Sequence, residues 1–165
     1  MRDLIDLFAL GMKRPIVPLI PMGDVVLNLG AGRQEIFGAA TLDYPEWDAS
    51  YMPIPWVDDS VDTILAFHFL EHLRGARVIE MLREIERVLR PGGTAMIVVP
   101  HRLSQMAYHD LDHQSFFCEE TWRILFTTHY YAKNREVPWR LHVGTNVIMG
   151  LVERNLALLT QLEKR

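Results

Sequence analysis

Two glycines and an acid lie in a pattern that suits the binding of a ribose-containing ligand. Gly30 and Gly32 follow directly on the apolar run VVLNL, and Asp43 lies 11 positions after Gly32, at the end of a second apolar run. Glycine lets the backbone approach a ligand closely, and a carboxylate can accept hydrogen bonds from two ribose hydroxyls. Taken alone, the pattern fits a tight turn followed by a solvated acid equally well.

The short distance between the glycines and the acid discriminates between ligands. In a dinucleotide-binding fold the acid lies about 20 residues further on, because a full helix intervenes and its N-terminus holds the pyrophosphate. Here the 11 positions from Gly32 to Asp43 leave room for little more than a turn, and the third glycine of that fingerprint is absent. A ligand without phosphates loses less from the missing helix, so the spacing disfavours an NAD-dependent oxidoreductase.

Five of the seven histidines lie in segments that we expect to end near one edge of a sheet: His68, His72, His101, His109 and His113. Histidine suits the role of a general base near neutral pH. His101, which directly follows a predicted strand, and His113 are the candidate catalytic residues. For His72 we expect a packing role.

The spacing of His109 and His113 also raises the question of a metal site. Histidines four residues apart share a face of a helix and can bind one metal ion. However, Asp110 and Asp112 alternate with them, which is typical of a loop, and the sequence specifies no third ligand. We therefore expect no metal.

The elements that must position these residues are alternating strands and helices. Short apolar runs predict strands at VVLNL, around ATLDY, at VDTILAF and at TAMIVVP, with an irregular, proline-rich segment before the third strand. Apolar residues at helical spacing predict an amphipathic helix over 76–90, ended by the ProGlyGly at 91–93. A second helix is predicted over 119–126 and a late strand over 145–152, and the Leu-rich tail after it favours a helix.

This alternation predicts a single α/β domain with a Rossmann-like, doubly wound, mostly parallel sheet. A strand that returns after a short connection is commonly antiparallel, which predicts an antiparallel C-terminal edge strand. We place the domain at 23–165. A short N-terminal helix and lead-in over 1–22 precede it, and their charges and prolines are not typical of a signal peptide.

The composition excludes several classes of function. With 17 Lys and Arg against 21 Asp and Glu, the net charge is −4, which argues against a nucleic-acid partner. The single cysteine, Cys118, excludes an internal disulfide and a cysteine-based zinc cluster, and it is compatible with the cytoplasm, where we place the protein. No apolar run reaches the roughly 18 to 20 residues needed to span a bilayer, so no membrane role is expected.

Four stretches resemble the class I S-adenosylmethionine-dependent methyltransferases. They are LNLGAG (27–32), LD (42–43), WDASYMPIPWVDDSVDTILAFHFLEHL (47–73) and EIERVLRPGGTAMIVVP (84–100), which together cover about half of the chain in the order of the family. The abbreviated first crossover is similar to that of a subgroup of small methyltransferases. The resemblance implies methyl transfer from S-adenosylmethionine, a cofactor that carries no phosphate.

The resemblance also implies a set of cofactor-binding residues: Asn28, Gly30, Ala31, Gly32, Asp43, Asp48, Ala49, Phe67 and His68. In these roles the glycine turn would pass the methionine part of the cofactor, and Asp43 would accept hydrogen bonds from the ribose. Asp48 and the N–H of Ala49 would bind the adenine edge. Phe67 and His68 would flank the cofactor near its sulfonium.

Asn28 departs from the family, in which many members carry an acid that helps to hold the ammonium group of the cofactor. Asparagine can accept a hydrogen bond there but supplies no charge. The main alternative is a non-catalytic interaction or structural module that kept the fold after its first helix was lost. The sequence does not identify the methyl acceptor, for which a small molecule is favoured, or the oligomeric state.

Overall fold

The fold is built on a six-stranded sheet in a computed structural model that describes residues 24–32, 36–127, 139–152 and 155–165. The strands are β1 (Val26–Leu29), β2 (Ala40–Leu42), β3 (Val61–Phe67), β4 (Leu89–Pro100), β5 (Leu141–Val152) and β6 (Asn155–Lys164). The helices are α1 (Gly75–Val88) and α2 (Glu119–Thr127), with 3₁₀ turns at Leu70–His72 and Gln105–Ala107. The helix and lead-in predicted over 1–22 lie outside the described residues.

The strand order is β2-β1-β3-β4-β6-β5. β1 pairs in parallel with β2 and β3, and β3 pairs in parallel with β4, whereas β6 is antiparallel to both β4 and β5. These pairings confirm the predicted Rossmann-like, mostly parallel sheet with an antiparallel C-terminal part. Because parallel strands end at the same edge, the residues that follow β1, β2, β3 and β4 meet there.

The main core lies between one face of the sheet and the two described helices. Alternate residues of the strands, such as Leu27 and Ile64, are fully buried against Met81 and Ile85 of α1, and Trp122 of α2 belongs to the same cluster. Val26 and Leu65 lie on the opposite face. Full burial of such a side chain contributes about 1.5 to 3 kcal/mol, so the two apolar patterns fix how the strands are oriented.

Helix α1 follows the predicted periodicity but ends at Val88, two residues earlier than predicted. The following segment, including Pro91, Gly92 and Gly93, belongs to the start of β4. A Cβ at Gly93 would come within 3.1 Å of the carbonyl oxygen of Asp62. The glycine therefore lets β4 approach β3 closely at its beginning.

The C-terminal tail is a strand, so the prediction of a helix from its Leu-rich sequence was wrong. β6 pairs with β4 from Thr94 opposite Glu163 to Pro100 opposite Ala157, and with β5 on its other side. Leu158 and Leu162 pack in the main core and Leu159 lies on the opposite face of the sheet, and pairing on both sides overrides the helical propensity of leucine. The late strand predicted over 145–152 is confirmed within β5, which forms the antiparallel edge.

The proline-rich segment between β2 and β3 contains neither helix nor strand, as predicted. It is held by side chains of α1. Arg77 donates to the carbonyl oxygens of Ala49 and Met52, each at 2.6 Å, and Arg87 donates to those of Ile54 and Trp56 at 2.8 and 2.7 Å. The segment is therefore tied to the helix through its backbone. In the described part of the chain, no helix is long and apolar enough to cross a membrane.

Candidate functional site

A cleft of about 460 Å³ opens at the edge where β1, β2 and β3 end. This volume lies within the range of small-molecule sites. The lining residues are Gly30, Gly32, Asp43, Tyr44, Trp47, Asp48, Ala49, Ser50, His68, Phe69, His72 and Leu73. Six of the nine predicted cofactor-binding residues thus meet in one cleft.

The glycine turn after β1 contributes backbone to this cleft. Gly30 has a φ of +63° and Gly32 one of +56°, conformations that L side chains rarely adopt. A Cβ on Gly30 would lie 2.4 Å from Cδ2 of Phe69, whereas a Cβ on Gly32 would meet no described atom within 4 Å. Gly30 is therefore required for packing, and Gly32 leaves open space beside its backbone.

Asp43 closes the abbreviated crossover. Its carboxylate accepts hydrogen bonds from the N–H of Gly32 at 2.5 Å and from that of Tyr44 at 2.8 Å. The acid thus ties the end of β2 directly to the glycine turn after β1. Each carboxylate oxygen has a further lone pair, so both can still accept from a ligand hydroxyl.

Asp48 and Ala49 line the cleft from the loop that follows β2. The N–H of Ser50 donates to Oδ1 of Asp48 at 2.8 Å, and this hydrogen bond lowers the pKa of the Asp48 carboxyl below its ordinary value. Arg77 holds the carbonyl of Ala49 from the side of α1. Asp48 is therefore an ionised acceptor on a loop whose position is fixed by the helix.

Aromatic residues form the floor of the cleft. The Trp47 side chain is buried, and its indole N–H donates to the carbonyl oxygen of Pro53 at 2.8 Å. Its ring lies 6.0 Å from that of Phe69. The sequence analysis did not select Trp47 or Phe69 as site residues. An aromatic residue in the proline-rich loop and another just after a strand could have indicated that both lie near the site.

Three of the predicted residues lie outside this lining: Asn28, Ala31 and Phe67. Asn28 is buried and alternates with Leu27 and Leu29, so its side chain lies on the sheet face opposite to α1. Phe67 packs on that same face, against the cluster of Val26 and Leu65. Among the described residues, the phenylalanine that lines the cleft is Phe69.

His68 and Glu71 form a pair beside the cleft. Nδ1 of His68 lies 3.1 Å from Oε1 of Glu71, a side chain that is only 2% exposed. The other oxygen, Oε2, is buried and has no hydrogen-bond partner among the described residues. The sequence analysis selected His68 but missed Glu71. In the LEHL sequence Glu71 looks like an ordinary polar residue, and nothing there indicates that it is buried.

His101 is buried, with both ring nitrogens engaged. The N–H of Leu103 donates to Nδ1 at 3.2 Å, so in the neutral ring the proton is on Nε2, which lies 3.2 Å from Oε2 of Glu119. The N–H of Glu119 itself, and then His101, lower the pKa of the Glu119 carboxyl. These two contacts hold the His101 ring at the start of α2, and its catalytic role stays a prediction.

His113 lies in a loop, as its sequence context indicated. Its Nδ1 lies 3.2 Å from the carbonyl oxygen of Ala107, and its ring contacts that of His72 edge-on at a centroid distance of 4.8 Å. The ring of His109 is further away, at 6.2 Å. The structure therefore pairs His113 with the turn after β3 more closely than with His109.

Comparisons with known proteins agree with this fold. A family model described as a methyltransferase domain matches residues 28–97. A search of curated proteins found no match to the sequence.

Solved structures with the same fold come from several organisms. One is a chain of the complex between the Haloferax volcanii Trm112 methyltransferase activator and a methyltransferase, with 18% identity, a TM-score of 0.63, and 99% of this chain and 92% of that chain covered. Another is the Burkholderia thailandensis 1,6-didemethyltoxoflavin-N1-methyltransferase with bound 1,6-didemethyltoxoflavin and S-adenosylhomocysteine, with 19% identity, a TM-score of 0.62, and 98% and 76% covered. The Bacillus subtilis protein YcgJ is similar at 15% identity and a TM-score of 0.59, with 99% and 98% covered.

The family match and the fold agree with each other. Residues 28–97 match the model of the methyltransferase-domain family, and the chain has the Rossmann-like fold seen in solved S-adenosylmethionine-dependent methyltransferases. The predicted resemblance is thereby confirmed.

Proposed function

We propose that this chain binds S-adenosylmethionine in the cleft and transfers its methyl group to a small-molecule acceptor in the cytoplasm. The observation that carries the proposal is the position of the Asp43 carboxylate directly beside the open backbone of Gly32. An acceptor-only group next to exposed backbone suits a ligand that presents hydroxyls and an amino-acid end.

The cleft residues fit the parts of this cofactor. Asp43 would accept from the ribose hydroxyls, and Asp48 with the N–H of Ala49 would bind the adenine edge. The space beside Gly32 would take the methionine part, and His68 would lie near the sulfonium. Bound S-adenosylmethionine supplies an activated methyl group, so the main task of the protein is to hold the acceptor close and in line.

A non-catalytic interaction module is the second candidate. A chain of similar fold is found in a complex with the Trm112 methyltransferase activator, which makes a protein partner a reasonable expectation for this fold. An NAD-dependent oxidoreductase is disfavoured, because the described residues after β1 offer no helix N-terminus for a pyrophosphate.

Isothermal titration calorimetry with S-adenosylhomocysteine, S-adenosylmethionine and NAD tests these proposals. We expect the two adenosyl compounds to bind and NAD to show no heat of binding. Asp43→Ala should weaken the binding of S-adenosylhomocysteine roughly 10- to 150-fold, since hydrogen bonds to a charged acceptor contribute about 1.5 to 3 kcal/mol.

Glu163→Ala, which removes an exposed acid on β6, is the matched control and should leave the affinity unchanged. Because Asp43 also accepts from Gly32, thermal denaturation must show that the Asp43 variant is folded at the titration temperature. Equal affinity in the Asp43 variant would refute the ribose assignment. No binding of either adenosyl compound at about 1 mM would favour the interaction module.

A further inference from the structure

Three potential metal ligands come together beside the cleft. A carboxylate oxygen of Glu71 and one ring nitrogen each of His72 and His113 lie within 4.8 Å of one another. Glu71 and His72 belong to the turn after β3, whereas His113 lies in the loop before α2. His72 also lines the cleft, so the cluster borders the proposed cofactor site.

The carboxylate of Glu71 is buried, and one of its two oxygens has no partner among the described residues. The residue is 1% exposed, and its Oε2 has no hydrogen-bond partner among the described residues. A buried carboxylate oxygen without a partner is costly, and native structures rarely leave one. Since Oε1 is already paired with His68, Oε2 is the atom left for a cation.

The hydrogen bond of His113 prepares its ring for metal binding. A carbonyl oxygen can only accept, so the contact between Nδ1 and the Ala107 carbonyl, at 3.2 Å, places the proton on Nδ1. In the neutral ring the lone pair is then on Nε2. Metal-binding histidines commonly donate their other N–H to a backbone carbonyl in this way.

The two chain segments that carry these residues are fastened together by their backbones. The carbonyl oxygen of Glu71 accepts from the N–H groups of Gln114 and Ser115 at 2.7 and 3.0 Å. The Gln114 side-chain amide donates to the carbonyl oxygen of His72 at 2.9 Å, and the Ser115 hydroxyl donates to that of Leu73 at 2.6 Å. The ligands are thus held on a shared frame, as a preorganised site requires.

We propose that Glu71, His72 and His113 bind a divalent transition-metal ion, with Zn²⁺ as the best match. Two imidazoles and one carboxylate form a donor set typical of zinc sites that keep a fourth position open, whereas Mg²⁺ prefers oxygen ligands throughout. Ligand atoms about 2.1 Å from a tetrahedral Zn²⁺ lie roughly 3.4 Å apart, so the three side chains draw together by about 1 Å on binding. His68 then acts as a positioning residue for Glu71.

The proposed site uses the histidines of the YHDLDH segment in a different way from the one that their spacing suggests. The sequence suggested His109 as the companion of His113, and no third ligand was evident. In the structure the further ligands come from the LEHL turn, which lies about 40 residues earlier in the chain. The metal does not depend on the cofactor assignment, so the two proposals can fail separately.

Calorimetric titration of the untagged, EDTA-treated full chain with ZnCl₂, CoCl₂ and MgCl₂ tests the site. We expect one equivalent of Zn²⁺ or Co²⁺ to bind, with visible Co²⁺ absorption typical of a four-coordinate ion, and Mg²⁺ to bind at least 100-fold more weakly. Glu71→Gln and His113→Gln should each weaken Zn²⁺ binding at least 10-fold. His142→Gln, which changes a histidine on β5, should have no effect.

The variants allow a clear decision even though Glu71 is buried. His113 is half-buried, so its variant should remain folded if Glu71→Gln does not, and circular dichroism checks both. Zn²⁺ affinity that is unchanged in His113→Gln, or Mg²⁺ binding as strong as Zn²⁺ binding, would overturn the proposal. So would Zn²⁺ binding weaker than about 100 μM in the unaltered chain.

Discussion

Gly30 and Gly32 share a left-handed backbone conformation, but only Gly30 is enclosed. An L side chain in this conformation costs about 1 to 2 kcal/mol, and a contact of 2.4 Å with the Phe69 ring adds about 1 to 3 kcal/mol of overpacking. Gly30→Ala should therefore lower the free energy of unfolding by about 2 to 5 kcal/mol. Gly32→Ala, the matched control, should cost only about 1 to 2 kcal/mol.

Urea denaturation followed by circular dichroism measures both changes. If the two variants lost equal stability, the contact between position 30 and Phe69 would carry no energy of its own. In calorimetry, Gly32→Ala should still weaken the binding of S-adenosylhomocysteine, since its methyl group occupies the open space beside the turn.

Phe67 and Phe69 show which part of the site could be predicted at the level of residues. The glycines and Asp43 were evident because few other residue types permit such a turn and such an acceptor. The choice between the two phenylalanines required the strand alternation, which places Ile64 and Ala66 toward α1 and Phe67 away from it. His68, which lies between the two phenylalanines, has a left-handed φ of +53°. No pattern in the sequence predicts this backbone conformation.

At the scale of elements, α1 positions a wall of the cleft through its charged face. Arg77 donates from Nε to Ala49 and from Nη2 to Met52, both to carbonyl oxygens at 2.6 Å. Arg77→Met removes both bonds and should weaken the binding of S-adenosylhomocysteine about 3- to 10-fold, since one or two net hydrogen bonds contribute about 1 kcal/mol. Arg77 acts through the loop and is a positioning residue.

Hydrogen exchange separates this effect from a loss of overall stability. The N–H groups of Tyr51 and Met52, which donate to the carbonyl oxygen of Asp48, should exchange faster in Arg77→Met while those of β1 and β3 stay protected. Arg123→Met, which changes an exposed arginine paired with Glu120 on α2, is the control. Uniformly faster exchange across the sheet would contradict a local positioning role.

The elements that the sequence predicted well are those whose own pattern decides their structure. The apolar periodicity of α1 is sufficient because one face of that helix packs on the sheet. β6 was mistaken for a helix because leucine suits both states, and only the hydrogen bonds to β4 and β5 decide between them. Such pairing joins segments distant in sequence, so local patterns cannot reveal it.

At the scale of the whole molecule, Lys164 joins the end of the last strand to the turn before β3. The side chain of Lys164 is fully buried, and its ammonium group donates to a carboxylate oxygen of Asp59 and to the carbonyl oxygen of Leu89. Asp59 has a left-handed φ of +56°, and its N–H donates to the carbonyl oxygen of Arg87 at 3.0 Å. The ion pair between Lys164 and Asp59, with these two hydrogen bonds, thus connects β6 to the end of α1 and the start of β4.

Replacing Lys164 with an apolar residue should destabilise the chain, although the side chain is buried. Lys164→Met preserves the length of the side chain but leaves the Leu89 carbonyl without this donor, which should lower the free energy of unfolding by about 1 to 3 kcal/mol in urea denaturation. Arg165→Met, at the exposed neighbouring position, should have little effect. Equal stability of the two variants would show that the pair serves only to orient the strand.

The same pair makes the stability of the fold sensitive to acid. The hydrogen bond from Lys164 lowers the pKa of the Asp59 carboxyl in the folded chain, so the unfolded chain binds a proton at a higher pH than the folded one. Its contribution is therefore complete above the ordinary Asp pKa of about 3.9 and is lost as the pH falls through the lower folded-state value. Asp59→Asn tolerates the left-handed backbone but cannot ionise, so the difference in melting temperature between the unaltered chain and Asp59→Asn should shrink below about pH 4. A difference that stayed constant from neutral pH into this acid range would show that the charge of Asp59 contributes nothing to stability.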